Sequence, residues 1–319
     1  MRFSVIIPLY NKAPYVAKAI NSVLSQTISD FELVIMDDGS SDNSCDIAQE
    51  CIDGHNNCHL HRQQNSGVST ARNNAVALSS GDFLCFLDAD DWWEPSFLER
   101  VSDLIAEFPD AGIYGTNYTI VNETRRKTRI ASVGVEPGFE KGIINYCQVY
   151  AHTMYMPLWT GAVCIPRCVF DEMGGFKKHL KLGEDFDLWI RIALTYKVVF
   201  LNSPLSNYNQ DSAFQWRAVG HLQEPRYHML WNLDYLEDEE RTNPEYKQLI
   251  DNLRTFDLLP YYLTKRYRKE ARKELEKVDW AKQPEEIRAL YQKPVLCLRI
   301  RQVILRSGSA LKQLLMKIA

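Results

Sequence analysis

Three clusters of acidic side chains have the residue types and spacing to do chemistry. The first is Asp37-Asp38, directly after the apolar run 31–36, and the second is Asp88-Ala89-Asp90-Asp91, after the apolar run 83–87. The third is Glu-Asp-Phe-Asp at 184–187, where a helix is predicted to begin. Carboxylates can accept hydrogen bonds from a base or a ribose, bind a divalent cation, or remove a proton from a hydroxyl group.

Each cluster also has a structural interpretation. Gly39 and Ser41 are typical of a tight turn that caps the next helix, although such a turn does not require two consecutive carboxylates. Asp88 and Asp90 alternate on an extended strand end and point the same way, which suits Mg²⁺ or Mn²⁺, but Asp-x-Asp is common by chance. Acids in a first helical turn favour the helix dipole, which accounts for one or two residues of the third cluster.

The elements that must position these clusters are predicted from apolar runs and amphipathic spacing. The predicted strands, with helices between them, are Phe3–Ile7, Phe31–Met36, a short run near 59–61, Phe83–Leu87 and Gly112–Thr116. Strands without polar alternation, separated by helices, imply a parallel sheet covered on both faces. Ligands bind at the carboxyl ends of the strands in such sheets, and the acidic clusters follow strands or begin helices.

Beyond the fifth strand the pattern changes. Residues 117–135 are polar and Thr/Val-rich, which predicts a hairpin or an excursion from the sheet. Three further elements complete the α/β part: the run 158–165, a helix over Glu184–Thr195 and a strand over Val198–Leu201. The sequence is then helical in character, so we expect an α/β domain over residues 1–215 and a helical region over 216–319.

Length and composition are those of a folded, water-soluble protein. The 319 residues carry a formal net charge of −4, with 45% hydrophobic residues and a mean hydropathy of −0.31. No run approaches the ~20 apolar residues of a membrane span, and the N-terminus does not resemble a signal peptide. Eight cysteines include no Cys-x-x-Cys pair, which favours reduced thiols. We therefore expect a cytoplasmic protein.

The first strand-to-helix turn restricts the kind of nucleotide site. The turn Pro8-Leu9-Tyr10-Asn11-Lys12 contains no glycine, whereas a dinucleotide-binding unit needs Gly-x-Gly-x-x-Gly there. The sequence also lacks a phosphate-binding loop of the Gly-x-x-x-x-Gly-Lys type. NAD-dependent redox chemistry and P-loop phosphoryl transfer are therefore both disfavoured.

Six motifs lie in a characteristic order along the chain: Phe3–Asn11, Ser25–Thr27, Phe31–Asp42, Gln64–Asn73, Phe86–Trp93 and Gly174–Ile192. In residue types, order and spacing they resemble glycosyltransferase family 2, whose members are inverting enzymes. The resemblance implies the A-type fold of these transferases: α/β, with a mostly parallel sheet sandwiched by helices and a Rossmann-like nucleotide-binding half. The helical C-terminal region is then an extension of that fold.

The resemblance implies a nucleotide-sugar-binding catalytic domain over residues 1–215, with particular residues at the nucleotide. The turn with Pro8 and Tyr10 is expected to line the nucleotide pocket. Asp38 is expected to bind the base, usually uracil, and Arg72 to help hold the nucleotide. The structural alternatives are a core position for Tyr10 and a surface partner of a helix for Arg72.

The resemblance also implies the residues of the metal and of the reaction. Asp88-Ala89-Asp90 matches the D-x-D motif of the family. Asp88 and Ala89 are expected to contact the nucleotide, and Asp88 is also expected to face the metal. Asp90 is expected on the metal itself, Mg²⁺ or Mn²⁺. In the acidic pair Glu184-Asp185, Asp185 is the expected catalytic base, with Glu184 beside it in the catalytic site.

The expected activity is that of a hexosyl- or N-acetylhexosaminyl-transferase of polysaccharide or cell-envelope biosynthesis. The donor would be a nucleoside-diphosphate sugar, usually UDP-linked, and the acceptor a hydroxyl group of a glycan or lipid-linked acceptor. No nucleic-acid partner is expected. The alternative is a catalytically inactive nucleotide-sugar-binding subunit with a regulatory or assembly role. A metal-dependent nucleotidyltransferase is a third interpretation, although its first turn would normally be rich in glycine and basic residues.

One segment departs from the family pattern. Many relatives carry Tyr-Arg-x-His-x-x-Ser after the strand that follows the acidic helix, whereas this chain has Tyr-Asn-Gln-Asp-Ser at 208–212. The missing Arg and His put a third metal ligand or a phosphate contact from this segment in doubt. Asp211 is a conjectural replacement ligand. This departure from the family pattern is the observation that supports the alternative of an inactive nucleotide-sugar-binding subunit.

Two further features bear on the acceptor. Trp159 precedes a predicted strand, where it would either stack on a sugar ring or pack in the core. Residues 295–319 carry five basic residues and no acid, with Leu311, Leu314, Leu315 and Ile318 at helical spacing. Such a basic amphipathic end would either lie on the cytoplasmic face of a membrane as a peripheral contact or dock on the catalytic domain.

Overall fold

The computed structural model describes residues 2–122, 124–211, 222–295 and 298. The chain divides into two units, in each of which the residues mainly contact one another. The first unit ends at Asn232 and the second begins at Leu233. The boundary expected between residues 215 and 216 lies outside the described residues, as does nearly all of the basic end at 295–319.

In the described part of the chain, the first unit contains one sheet of ten strands. These are β1 (Phe3–Leu9), β2 (Phe31–Asp37), β3 (Cys58–Arg62), β4 (Phe83–Phe86), β5 (Trp92–Trp93), β6 (Ala111–Asn122), β7 (Lys127–Ile130), β8 (Lys141–Ile144), β9 (Val163–Pro166) and β10 (Lys197–Asn209). Their order is β3-β2-β1-β4-β9-β6-β10-β5, with β7 beside β6 and β8 beside β10. Strands β3, β2, β1 and β4 run parallel, as do β6 and β10, and the remaining pairs are antiparallel.

Helices of the first unit connect and flank these strands. They are α1 (Val16–Leu24), α2 (Ser44–Ile52), α3 (Val68–Leu78), α4 (Phe97–Glu107), α5 (Tyr146–Thr153), α6 (Arg167–Glu172) and α7 (Glu184–Thr195). In α1 the residues Val16, Ala19, Ile20 and Val23 are all buried, at the i, i+3, i+4, i+7 spacing of one helical face. The expected α/β fold, a sheet flanked by helices, is confirmed.

The parallel strands end at a common edge, which determines where a ligand can bind. Leu9 lies opposite Asp37 in the β1–β2 register, and Ile6 lies opposite Phe86 in the β1–β4 register. β2 is buried along its whole length, and only Pro8 of β1 is partly exposed. Burial of an apolar strand on both faces fixes its register, so the turns that follow β1, β2 and β4 must meet at one side of the sheet.

The later part of the first unit differs in detail from the sequence expectation. β6 and β7 form the hairpin that was one of the two alternatives for residues 117–135. The run 158–165 is divided into a 3₁₀ turn at Thr160–Ala162 and the short strand β9. β10 continues to Asn209, well beyond Leu201, because its polar second half pairs with β6 through two register shifts.

The second unit is helical over its described residues. Its helices are α8 (Glu237–Thr242), α9 (Pro244–Asp257), α10 (Leu259–Leu263), α11 (Arg268–Leu275) and α12 (Glu285–Gln292). Arg254 on α9 is 1% exposed and makes hydrogen bonds of 2.5 and 2.8 Å to the carboxylate of Glu240. A buried guanidinium requires such partners, so this ion pair ties α8 to α9. Within the described residues, no helix has the length and apolar character needed to cross a membrane.

Candidate functional site

A cavity of about 400 Å³ lies where the turns after β1, β2 and β4 meet. Most of the residues predicted for the site line it: Pro8, Tyr10, Asp38, Arg72, Asp88, Ala89, Asp90 and Glu184. Asp185 follows Glu184 directly but is not a lining residue. Tyr10 is 37% exposed and Arg72 is 3% exposed, so neither the core position of Tyr10 nor the surface position of Arg72 is found.

The two carboxylates after β2 have different environments. Asp37 is fully buried and accepts a hydrogen bond from the Ser40 backbone N–H at 3.0 Å, which closes the turn. Asp38 faces the cavity and accepts hydrogen bonds from the Gln63 side chain (2.7 Å) and from the N–H groups of Ser66 (2.8 Å) and Gly67 (2.9 Å). These contacts hold the 63–67 loop before α3. A carboxylate offers about four acceptor positions, so a further donor can be accommodated.

Arg72 connects the second and third acidic clusters. Its guanidinium donates to Asp88 at 2.8 Å and to Glu184 at 3.2 Å, across more than one hundred residues of sequence in the second case. Burial works against the charge of Arg72, but these two carboxylates outweigh it and raise the pKa of the guanidinium. Arg72 therefore stays charged and fixes the first turn of α7 against the end of β4.

Asp90 makes an ion pair that sequence reasoning missed. The Lys12 ammonium lies 2.6 Å from Oδ2 of Asp90, and both side chains line the cavity. Lys12 stands two residues after Tyr10 in the first turn, but its sequence position gives no signal of a partner 78 residues away. Only the parallel pairing of β1 with β4 brings the two turns together.

Asp91 is the buried member of the second cluster. Its carboxylate accepts hydrogen bonds from the Asn209 backbone N–H at 2.8 Å and from the Trp159 indole at 3.2 Å. Burial, reinforced by the charges of Asp90 and Asp88, raises the pKa of the Asp91 carboxyl well above its usual range. Asp91 thus fixes the cavity wall rather than presenting a charge to a ligand.

An aromatic wall stands on this side of the cavity. Trp159 is half-buried and lines the cavity, with its ring 4.2 Å from that of Tyr208 and 5.6 Å from that of Tyr118 between centroids. Tyr208, which also lines the cavity, lies near the end of β10, where the segment 208–212 begins. The family resemblance drew attention to this segment because of its missing Arg and His, but it did not predict Tyr208 as a site residue.

Asp211, the conjectured ligand of the 208–212 segment, lies away from the cavity lining. The carboxylate of Asp211 is 3.3 Å from the Thr124 backbone N–H, next to the β6–β7 turn, and Asp211 is not a lining residue. Ser212 lies outside the described residues. The conjectured ligand role of Asp211 therefore gains no support from its position.

The acidic pair opens α7 after a left-handed glycine. Gly183 has φ +79°, and a Cβ there would come within 2.4 Å of Met229. Burial raises the pKa of Glu184 to about 7, with the Asp185 charge adding to this and Arg72 opposing it. The Thr160 hydroxyl donates a hydrogen bond to Oδ2 of Asp185 at 3.0 Å. Each acid of the pair therefore has its own partner.

Asp187, the third acid of this turn, has a structural position. It is fully buried, lies 2.7 Å from the Lys177 ammonium and 2.8 Å from the Arg191 guanidinium, and does not line the cavity. Asp187 therefore serves as the buried partner of two basic side chains.

The charges of the lining suit a divalent cation. Among the described lining residues, five are acids (Asp38, Asp88, Asp90, Asp91 and Glu184) and two are cations (Lys12 and Arg72). Asp88 and Asp90 supply hard oxygen ligands of the kind that Mg²⁺ or Mn²⁺ takes together with substrate phosphates. No group of three or more His, Cys, Asp or Glu side chains with metal-binding geometry occurs in the described ranges. The two aspartates thus fit a cation whose coordination a ligand completes.

Fold and cavity together define an α/β protein with an acid-lined cavity at the carboxyl edge of its parallel strands. Residues 4–159 match the model of glycosyl transferase family 2, and residues 83–248, more than half of the chain, match that of glycosyl transferase family group 2. The chain belongs to glycosyltransferase family 2, which confirms the prediction from its motifs.

Named relatives share part of their length with this chain. Chondroitin synthase of Escherichia coli is 38% identical in an alignment of 251 positions that covers 68% of this chain and 36% of the relative. Glycosyltransferase GlyA of Streptococcus pneumoniae is 35% identical over 123 residues, 39% of this chain and 18% of the relative. The chain therefore corresponds to less than two fifths of either protein.

A solved structure shares the fold. S. aureus TarS 1–349 in complex with UDP-GlcNAc superposes with a TM-score of 0.70, over 91% of this chain and 83% of that chain. The sequence identity of 18% indicates a common fold and nothing more specific.

Proposed function

We propose that this chain transfers a sugar, with inversion, from a UDP-linked nucleoside-diphosphate sugar to a hydroxyl group of a glycan or lipid-linked acceptor. The observation that carries the proposal is the convergence of three acidic clusters, far apart in sequence, on one cavity. Family membership supports the reaction class. The described lining residues all lie between Pro8 and Tyr208, which supports a donor-binding domain over residues 1–215.

Donor binding is proposed to use the turns after β1 and β2. Asp38 would accept a hydrogen bond from the base in addition to the three from its own loop, while Pro8, Tyr10 and Ala89 form the wall around it. Uridine is the first nucleoside to test, because TarS, which has the same fold, is described in complex with UDP-GlcNAc.

Asp88 and Asp90 are proposed to hold Mg²⁺ or Mn²⁺. The two cations of the lining already face carboxylates, Lys12 at Asp90 and Arg72 at Asp88 and Glu184, so a bound diphosphate requires additional positive charge. A divalent cation, when bound, would neutralise the departing diphosphate as a Lewis acid. Arg72 would keep Asp88 and the first turn of α7 in register around the donor.

The reaction is proposed as a single displacement with Asp185 as the base. The acceptor hydroxyl gives its proton to the Asp185 carboxylate, and its oxygen forms a bond to the anomeric carbon. The bond from that carbon to the diphosphate breaks, and its electron pair leaves with the diphosphate oxygen. The Thr160 hydroxyl orients Asp185, and Glu184 holds Arg72. Proton removal by a positioned base contributes roughly 10²- to 10⁴-fold to a rate.

The test compares Asp185→Asn, Glu184→Gln and Asp103→Asn, an exposed acid on α4 outside the cavity. Each is incubated with UDP-, GDP- and dTDP-sugars and Mn²⁺ while release of nucleoside diphosphate is monitored. We expect Asp185→Asn to lower turnover by about 10²-fold or more, with UDP affinity within about twofold of the parent chain. Asp103→Asn should behave as the parent.

The other outcomes are informative. Near-normal release of nucleoside diphosphate by Asp185→Asn together with an inactive Glu184→Gln would move the base to Glu184. Release of pyrophosphate would identify a nucleotidyltransferase. Nucleotide-sugar binding without release across the panel would favour the inactive binding subunit.

A further inference from the structure

Lys12 is a cation of the cavity without a role in the reaction proposed above. Its ammonium lies 2.6 Å from Oδ2 of Asp90, one of the two carboxylates assigned to the divalent cation. The two side chains are only 17% and 14% exposed. Partial shielding from water strengthens attraction between opposite charges, so this pair matters more than a surface pair.

The backbone of Lys12 is fixed while its side chain can move. The Lys12 N–H donates to the Ser44 hydroxyl at 2.7 Å, and its carbonyl accepts from the N–H groups of Tyr15 (2.8 Å) and Val16 (3.0 Å) at the start of α1. These contacts hold the Cα at the rim of the cavity. The flexible four-carbon stem of a lysine then allows the ammonium to reach different acceptors around that point.

A divalent cation and the Lys12 ammonium compete for Asp90. Both are attracted by the same carboxylate, and two cations close to one oxygen repel each other. An ammonium has three donors and no acceptor, so Lys12 must find another acceptor when it leaves. A diphosphate in the same cavity would supply one, because it brings several anionic oxygens.

We propose that Lys12 is an exchangeable counter-ion of the cavity, which neutralises Asp90 without donor and transfers its hydrogen bonds to the donor diphosphate when the divalent cation binds. The inference rests on the proposed function and adds a residue that couples cation binding to nucleotide binding. Lys12 would keep the cavity from collecting cations before the donor arrives, and would then contribute to holding the donor.

The proposal predicts opposite effects of one substitution on two binding constants. In Lys12→Met, Mn²⁺ alone should bind about three- to tenfold more tightly, because Asp90 loses its competing ammonium. UDP in saturating Mn²⁺ should bind about tenfold more weakly, because a charge-assisted hydrogen bond to the diphosphate is lost. The first constant is measured from the electron paramagnetic resonance signal of free Mn²⁺, and the second by isothermal titration calorimetry.

Two further variants make the comparison specific. Lys12→Arg keeps a positive charge beside Asp90, so Mn²⁺ affinity should stay within about twofold of the parent chain. Lys141→Met removes the lysine of another lysine–carboxylate pair, with Glu107, outside the cavity, and should change neither constant. Thermal melting of all variants identifies any that fail to fold, in which case Lys12→Gln replaces Lys12→Met.

Tighter Mn²⁺ binding together with weaker UDP binding in the uncharged variant supports the exchange. If the parent chain binds Mn²⁺ and UDP and the uncharged variant leaves Mn²⁺ affinity unchanged or weakens it, the exchange is wrong while the proposed function stands. If the parent chain binds no UDP with Mn²⁺, the proposed UDP donor fails and the exchange fails with it.

Discussion

Three aspartates follow one strand and differ only in their partners. Asp88 faces Arg72, Asp90 faces Lys12, and Asp91 is buried against backbone and indole N–H groups. The first two each make an ion pair, whereas burial raises the pKa of the Asp91 carboxyl well above its usual range. Residue type alone could not separate these roles, because the distinguishing partners come from distant parts of the chain.

Trp159 is the residue at which acceptor binding can be tested. Its indole is tied to Asp91, and its ring lies against Tyr208 in the cavity wall, partly exposed. We expect Trp159→Ala to leave hydrolysis of the donor in water within about threefold of normal and to raise the acceptor KM by about three- to tenfold, since an aromatic contact is worth roughly 1 kcal/mol.

Trp159→Phe is the matched control, since it keeps an aromatic ring while losing the indole N–H and part of the ring area. The comparison uses steady-state kinetics with and without acceptor, alongside thermal melting. Equal losses of hydrolysis and transfer, or loss of the melting transition in Trp159→Ala, would show that the side chain supports the wall rather than the acceptor.

At the scale of elements, a segment remote in sequence supports the start of α7. The carbonyl of Tyr227 accepts a hydrogen bond from the Lys181 N–H at 2.8 Å, and the Met229 N–H donates to the Leu182 carbonyl at 3.0 Å. Between them His228 is 1% exposed, and its Nδ1 accepts from the Leu230 N–H. This segment therefore holds the turn that presents Glu184 and Asp185.

His228 should make the fold sensitive to mild acid. Burial lowers its pKa to about 4, whereas the unfolded chain takes up this proton near 6.5. Between these values the unfolded state binds more protons, so stability is complete above pH 6.5 and falls as the pH drops toward 4. We expect the free energy of unfolding of the parent chain to fall by roughly 3 kcal/mol more than that of His228→Asn between pH 7 and 4.

Urea unfolding at a series of pH values measures this difference. The asparagine offers an acceptor near the position of Nδ1 and cannot titrate in this range, so it isolates the proton from the hydrogen bond. Parallel pH profiles for the two proteins would show that His228 does not contribute to acid sensitivity.

The sequence predicted those parts of the fold and site that depend on local pattern. Strands β1, β2 and β4 are apolar runs, and the acids at the ends of β2 and β4 lie at one edge of the sheet, as expected. The full length of β10 and the antiparallel strand β9 depend on pairing between distant segments, which periodicity does not encode. Lys12 and Tyr208 were missed for the same reason, because each enters the cavity through such pairing.

At the scale of the whole molecule, charge is distributed unevenly along the chain. Residues 262–319 contain 15 lysines and arginines against 6 acids, a formal charge of +9, whereas residues 1–261 carry −13. The acids of the cavity belong to the negative part. A chain with such an uneven distribution of charge can present its two parts to different partners.

The end of the chain provides a test of membrane contact. Residues 295–319 combine Arg299, Arg301, Arg306, Lys312 and Lys317 with an apolar stripe, and each basic residue near an anionic surface contributes about 1 kcal/mol. We propose a peripheral contact with the cytoplasmic face of a membrane, where a lipid-linked acceptor would be found.

The full chain should co-sediment with vesicles of mixed anionic and zwitterionic phospholipid at low salt, and a chain truncated after Pro294 should not. Purely zwitterionic vesicles and 0.5 M salt are the controls. Added salt shortens the range of electrostatic attraction, which falls to ~3 Å at about 1 M. An equal bound fraction for both chains, or no binding of the full chain, would assign the stripe to docking on the protein instead.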